Sequence, residues 1–293
     1  MSRELPLDLP LERLDRYMGA RDSYSEARAV LFGIPMDFTT SYRPGTRFGP
    51  GRIREASYGL EEFSYHQEAS LQEVAFCDLG DVAVVFGDPK TTLDRALQVA
   101  RRVVADGKLP FVLGGEHLVT LPVVQALLER YPDLVLLQFD AHADLREEYL
   151  GNPLSHACVM RRCLEAGVRP GHLFQFGIRS GTREEYDFGR RHCRLYPHEV
   201  LGPLRKVLAE LEGRPVYITV DIDVMDPAYA PGTGTPEPGG VSSREMLTAI
   251  HAMRGLNVVG FDVVEVAPNL DPSDRTVVLG ALLIREALLA FAR

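Results

Sequence analysis

The sequence has few cysteines, and their spacing excludes two common uses of that residue. Its 293 residues contain four: Cys77, Cys158, Cys163 and Cys193. No two of them form a CxxC pair, which redox motifs and many cysteine zinc sites require. Four scattered cysteines are also too sparse for a disulfide framework. We therefore expect reduced thiols, as is usual for a protein of the cytoplasm.

Long apolar runs and an excess of basic residues are also missing. No apolar run approaches the roughly 18 residues that a membrane span needs. Residues 1–20 alternate charged residues with leucine and lack the continuous apolar stretch of a signal peptide. The formal net charge of −9 disfavours nucleic acid and anionic membranes as partners. These absences predict a cytoplasmic protein with neither type of partner.

The chain does contain short apolar runs that alternate with longer helical patterns. Seven runs are predicted as strands: 28–35, 74–80, 109–117, 134–142, 172–179, 215–223 and 256–266. Most have apolar residues on both faces, which is typical of parallel strands covered by helices on each side.

Helices are predicted in most of the intervals between these runs. Their ranges are 91–107, 120–131, 155–167, 200–213, 242–255 and 275–293. The stretch 230–240, APGTGTPEPGG, is too rich in glycine and proline for regular structure. Alternation over the whole length, without a linker, predicts one doubly wound α/β domain over residues 1–293.

Polar side chains with metal-binding capacity follow three of the predicted strands. Asp140, His142 and Asp144 alternate after one strand, and Asp221 and Asp223 repeat that spacing after another. Side chains two residues apart in an extended chain point the same way. A third strand ends in GGEH, whose histidine is His117. Because ligands gather at the carboxyl ends of parallel strands, we expect all six side chains at one sheet edge.

Six such groups in one place favour a pair of divalent cations. Two carboxylates about 5 Å apart repel by roughly 3 kcal/mol at an effective dielectric constant near 20. Four carboxylates without counter-charge would therefore protonate or separate, whereas two divalent cations neutralise them. Carboxylates with few imidazoles and no thiolate favour Mn²⁺ first, with Co²⁺ or Zn²⁺ as alternatives. A single DxH or DxD motif could instead be a helix cap or a turn, but three strands ending in this way favour metal.

Several longer motifs carry a resemblance to a known family. They are RPGTRFGPGRIREAS (43–57), LGGEH (113–117), FDAHADLR (139–146), SHACVMRR (155–162), DIDVMDPAYAPGTGTPEPGG (221–240) and FDVVEVAP (261–268). With them the chain resembles the ureohydrolases, the family of arginases and agmatinases, and among these the agmatinases most. The resemblance implies a three-layer α/β/α arginase-like fold with a mostly parallel central sheet. It also implies two Mn²⁺ ions per subunit and a homo-oligomer, either a trimer or a hexamer.

The resemblance also assigns roles to individual residues. It implies one manganese bound by His117, Asp140, Asp144 and Asp221, and a second bound by Asp140, His142, Asp221 and Asp223. Three residues are implied to be catalytic. Glu265 would pair with the guanidinium of the substrate, Asp144 would accept the proton of the nucleophile, and His156 would protonate the departing amine or relay its proton.

The implied reaction is hydrolysis of agmatine to putrescine and urea, by attack of a metal-bridging hydroxide. The acidic stretch 145–157, with Glu147 and Glu148, favours a substrate with a cationic or uncharged tail. Guanidinobutyrase or another guanidino-acid hydrolase is the nearest alternative, followed by arginase. A single-zinc deacetylase would leave His117 and Asp223 without a role. An inactive regulator of the same fold would be expected to lack at least one of these residues.

Overall fold

The computed structural model describes residues 9–12 and 15–293. The prediction that residues 1–20 are not a signal peptide falls partly on 1–8 and 13–14, which lie outside the described residues. In the described part, no helix combines the length and the apolar character needed to cross a membrane.

The described strands and helices alternate along the chain. The strands are β1 (Leu11–Glu12), β2 (Ala29–Ile34), β3 (Phe63–Ser64), β4 (Ala69–Ser70), β5 (Phe76–Val82), β6 (Leu109–Gly114), β7 (Val135–Phe139), β8 (Leu173–Phe176), β9 (Arg194–Tyr196), β10 (Val216–Asp221) and β11 (Val258–Val264). The α-helices are α1 (Gly49–Ser57), α2 (Pro89–Ala105), α3 (Thr120–Arg130), α4 (Val159–Ala166), α5 (Arg183–His192), α6 (Leu201–Leu211), α7 (Ser243–Ala252) and α8 (Arg275–Phe291).

A mostly parallel sheet forms the centre of the molecule. Among the described residues it has nine strands in the order β1-β5-β2-β6-β11-β10-β7-β8-β9. Strand β1 runs antiparallel to β5, and the other neighbours are parallel. All seven predicted strands are confirmed. The short strands β1 and β9 at the two sheet edges, and the β3–β4 hairpin, were not predicted because two or three residues carry no readable alternation.

Helices cover both faces of the sheet, which confirms the three-layer α/β/α architecture. Helices α1, α6, α7 and α8 contribute to one hydrophobic core, and α2, α3 and α4 contribute to the other, with α5 at its margin. The six predicted helices are present with small shifts of their ends. Helices α1 and α5 were missed because α1 begins with Gly-Pro-Gly and α5, REEYDFGRRH, is mainly polar.

The strand order determines where the polar residues meet. Strands β6, β11, β10 and β7 are consecutive neighbours at the centre of the sheet. Each is followed at its carboxyl end by one of the predicted site motifs. Four segments distant in sequence therefore deliver their side chains to one edge of the sheet.

Candidate functional site

The backbone changes direction sharply where the site residues begin. Asp140 follows the last residue of β7, and Asp221 is the last residue of β10. Asp144 and Glu265 have φ angles of 53° and 62°, in the left-handed region that residues other than glycine rarely adopt. Such strained residues tend to cluster at functional sites. The surrounding fold therefore holds these two carboxylates in positions that local preference alone would not select.

A first group of ligands surrounds the ring nitrogen Nδ1 of His117. This atom lies 3.1 Å from Oδ2 of Asp140, 3.1 Å from Oδ2 of Asp144 and 3.3 Å from Oδ2 of Asp221. It is buried and has no hydrogen-bond partner among the described residues. Two ligands bound at about 2.1 Å to one ion, at right angles, lie about 3 Å apart. The spacing of these atoms fits a cation between them.

A second group lies beside the first and shares one residue with it. Nδ1 of His142 is 3.0 Å from Oδ2 of Asp223 and 3.7 Å from Oδ1 of Asp140. The ligand atoms of His117, Asp140 and Asp221 lie within 4.8 Å of one another, and so do those of Asp140, His142 and Asp223. Asp140 thus offers one carboxylate to two adjacent metal-binding groups. The structure brings together all six residues that the sequence selected.

The protonation behaviour of the cluster shows that it lacks positive charge. Burial, together with neighbouring carboxylates, raises the pKa of Asp221 well above its usual value. Burial and the Asp140 carboxylate raise the pKa of Asp144 to about 6. Burial opposes protonation of His142, yet Asp223 and Asp140 raise its pKa to about 12. Burial and neighbouring carboxylates raise the pKa values of the two aspartates, and neighbouring carboxylates raise that of His142. Divalent cations would relieve this buried excess of negative charge.

Two polar residues that form hydrogen bonds with members of the cluster orient those side chains. Nε2 of His117 lies 2.9 Å from Oγ1 of Thr219, so the other nitrogen, Nδ1, faces the carboxylates. Nε2 of Gln138 donates to Oδ2 of Asp140 at 2.6 Å. Thr219 and Gln138 each precede an aspartate by two residues, at or just beyond the end of a strand. This period-two spacing is a signal in the sequence that could have identified both residues.

The two other residues with an implied catalytic role lie in contact with each other. Nδ1 of His156 is 3.2 Å from Oε1 of Glu265, and the same oxygen accepts a hydrogen bond from the backbone N–H of His117 at 2.8 Å. Burial lowers the pKa of His156, but the hydrogen bond and charge of Glu265 outweigh it and raise the pKa to about 9. His156 is therefore an imidazolium at neutral pH, positioned beside the metal-binding cluster.

A cavity of about 200 Å³ opens onto these groups. Its lining includes His142, Asp144, Asp221 and His156, together with Arg146, Tyr149 and Glu185. Nε of Arg146 lies 3.3 Å from Oε2 of Glu185, which forms an ion pair on the cavity wall.

The acidic side of the cavity differs from the sequence-based expectation. Glu147 and Glu148 line an adjoining depression, which shares Arg146 and Glu185 with the cavity. Neither glutamate is part of the cavity lining itself. Apart from the aspartates of the cluster, the carboxylate in that lining belongs to Glu185 of α5, a helix that the sequence did not predict.

These features of the site define a class of protein. A buried cluster of four carboxylates and two imidazoles, at the carboxyl edge of a parallel sheet and open to a cavity, is typical of hydrolases that use two divalent metals.

Comparisons with known proteins narrow this class to a family. Residues 27–290 match the sequence model of the Arginase family. An agmatinase of Bacillus subtilis (strain 168) is 47% identical over 280 residues, which cover 94% of this chain and 96% of that protein. The mitochondrial guanidino acid hydrolase of Homo sapiens is 40% identical over 276 residues, covering 90% of this chain and 78% of that protein.

Solved structures agree with the sequence comparison. The agmatine ureohydrolase of Thermoplasma volcanium superimposes with a TM-score of 0.87 at 38% identity, and the match covers 95% of this chain and 94% of that one. The chain belongs to the arginase family, and its sheet and helices form the arginase-like fold.

Proposed function

We propose that the protein hydrolyses agmatine to putrescine and urea in the cytoplasm, using two Mn²⁺ ions. The observation that carries this proposal is the six-residue cluster, which lies beside the Glu265–His156 pair at the base of one cavity. The Bacillus subtilis relative is named an agmatinase, and the Thermoplasma volcanium structure is of an agmatine ureohydrolase.

The orphaned Nδ1 of His117 and the shared carboxylate of Asp140 support two adjacent cation sites. The proposed ligands of one ion are His117, Asp140, Asp144 and Asp221, and those of the other are Asp140, His142, Asp221 and Asp223. Hard carboxylate oxygens with a minority of imidazoles and no thiolate favour Mn²⁺. A bound pair of such ions supplies hydroxide near neutral pH by lowering the pKa of the water it holds.

The residues around the ions bind and orient the substrate. The Glu265 carboxylate pairs with the planar guanidinium of agmatine, which places the guanidino carbon over the cluster. Asp144 takes the proton of the nucleophile as the new C–O bond forms. His156 gives its proton to the alkyl nitrogen as the C–N bond breaks, so the amine leaves in a neutral form. The raised pKa of His156 keeps that proton available at neutral pH.

The far end of the cavity has to accept the substrate tail. Agmatine ends in an ammonium group, and the buried carboxylate of Glu185 is the acidic group that lines this part of the wall. Arg146 lies against it and supports a second candidate function. A guanidino acid ends in a carboxylate that could pair with Arg146, and the human relative is named a guanidino acid hydrolase.

The test is urea release from agmatine, 4-guanidinobutyrate and arginine, measured side by side after loading with Mn²⁺. We expect the highest kcat/KM with agmatine. A higher kcat/KM with 4-guanidinobutyrate would assign the guanidino-acid activity, and activity on arginine alone would assign an arginase. No urea from any of the three would contradict the enzymatic function and favour a regulator.

We also propose that residues 1–293 form one domain and assemble into a homo-oligomer, either a trimer or a hexamer. The sheet runs from β1 to β9, and both cores draw on segments from most of the chain, which supports a single domain. One cooperative unfolding transition is expected, and light scattering of the purified protein would measure the number of subunits.

A further inference from the structure

Residues 37–47, here called the strap, are held by hydrogen bonds to two other segments and by one bond within the strap itself. The backbone N–H and the hydroxyl of Thr39 both donate to the carboxylate of Glu116, at 2.7 and 2.8 Å. Nη2 of Arg43 donates to the carbonyl of Thr233 at 2.8 Å. The carboxylate of Asp37 accepts from the N–H of Gly45 at 2.9 Å. These bonds fix the strap on both sides of its central residues.

Glu116 accepts two of these hydrogen bonds, and the proposed reaction does not use this residue. It follows Gly115 at the end of the GGEH motif and is completely buried. Both of its oxygens are taken by Thr39, so the side chain points away from the cluster that His117 joins. A buried carboxylate whose bonds all go to one loop residue holds that loop in place.

The strap in turn holds His156 through two bonds. The hydroxyl of Thr39 accepts a hydrogen bond from the backbone N–H of His156 at 2.9 Å. The hydroxyl of Ser41 lies 3.1 Å from Nε2 of the His156 ring. With Glu265 at Nδ1, both ring nitrogens and the backbone of His156 are occupied. Because the imidazolium carries a proton on each nitrogen, Nε2–H donates to Ser41 and Nδ1–H remains directed into the site.

We propose that Ser41, held in place by Thr39 and Glu116, is the positioning residue that directs Nδ1 of His156 to the reacting nitrogen. When the ring gives up the Nδ1 proton, the Ser41 hydroxyl still accepts from the N–H that stays on Nε2, so the ring keeps its orientation during the transfer. Without the hydroxyl the ring is held only at Nδ1, by Glu265, and its orientation is less well fixed. The inference rests on the proposed function, because it assigns His156 as the proton donor.

The first test is kinetic and uses the holoenzyme with agmatine. Ser41 is exposed, so Ser41→Ala should fold normally. We expect kcat to fall about tenfold, which is the loss of one hydrogen bond to a charged group, while KM and the Mn²⁺ content stay unchanged. Ser41→Thr keeps a hydroxyl and should restore most of kcat. Ser25→Ala, at an exposed serine in a turn far from the site in sequence, is the matched control.

A second test does not depend on turnover. A ¹⁵N NMR titration of the His156 ring measures its pKa directly, with Zn²⁺ in place of Mn²⁺ because the unpaired electrons of Mn²⁺ broaden nearby resonances. In Ser41→Ala the titration should move to lower pH, because the cation loses an acceptor. An unchanged ring titration in Ser41→Ala, or an unchanged kcat in an enzyme that releases urea, would overturn the inference. Failure of the unmodified chain to release urea would contradict the proposed function instead, and the NMR result would still decide the role of Ser41.

Discussion

Nε2 of His117 and Oγ1 of Thr219 lie 2.9 Å apart, and this contact determines which nitrogen of His117 faces the metal-binding cluster. A metal-binding histidine commonly uses its second nitrogen in this way, and loss of the partner typically weakens metal binding 10- to 100-fold. The contact lies on the strand that ends at Asp221, so one strand supplies both a residue of the cluster and the residue that orients His117.

Replacing Thr219 by valine tests this orientation. Thr219→Val preserves the side-chain shape but removes the acceptor, so we expect Mn²⁺ affinity to fall at least tenfold. Titration with Mn²⁺ followed by calorimetry would measure the change. Thr219→Ser should retain most of the affinity. Thr248→Val, on the exposed face of α7, is the control and should bind Mn²⁺ normally.

The number of bound ions should respond to the loss of one ligand. Asp223 belongs to one of the two groups, beside His142. Asp223→Asn should therefore reduce the metal content from two ions per chain towards one, as measured by elemental analysis. Asp187→Asn, at an exposed pair with Arg183, provides the same chemical change outside the site. Two ions retained in Asp223→Asn would argue against the proposed assignment.

Metal removal should also lower thermal stability. The buried carboxylates repel one another when no cation is present, and ligands that bind the folded state stabilise it by mass action. At a free Mn²⁺ concentration 100 times the dissociation constant, the gain would be about 2.7 kcal/mol. Calorimetric scans with Mn²⁺ and with a chelator would measure it. Equal melting temperatures in the two scans would show that no ion binds the cluster.

The pH dependence of turnover should report on His156. Its pKa is raised to about 9, because the Glu265 carboxylate outweighs the opposing effect of burial. A raised pKa keeps the proton on the ring throughout the neutral range and releases it as the pH rises through about 9. We therefore expect kcat to decline above that pH, and this decline should be absent from the residual activity of His156→Asn. A decline that persists in the variant would have to come from another group.

The Arg146–Glu185 pair should set the preference for the substrate tail. Arg146→Met removes the cation that competes for Glu185 and keeps much of the apolar stem. We expect KM for agmatine to fall several-fold and kcat/KM for 4-guanidinobutyrate to fall about tenfold, the worth of one charge-assisted pair. Steady-state kinetics on both substrates would measure this. Arg191→Met, outside the cavity lining, should change neither. An equal fall in kcat/KM for both substrates would indicate that Arg146 supports the cavity wall and does not contact the substrate tail.

The amino-acid sequence by itself determined the central sheet and the six residues of the cluster. The strands were readable because parallel strands are apolar on both faces, and the period-two spacing placed Asp140, His142 and Asp144 on one side. Helices α1 and α5 could not be predicted, because a Gly-Pro-Gly start and a run of polar residues do not show the apolar stripe of a typical helix.

Tertiary structure alone decided which distant groups line the cavity. Ser41 and His156 are 115 residues apart in sequence, yet their side chains are in hydrogen-bond contact. Glu185 reaches the cavity because the packing of α5 brings it opposite Arg146, whereas Glu147 and Glu148 line only the adjoining depression. Local periodicity specifies the direction of a side chain on its own strand. The meeting of a loop and a helix depends on the packing of the whole chain.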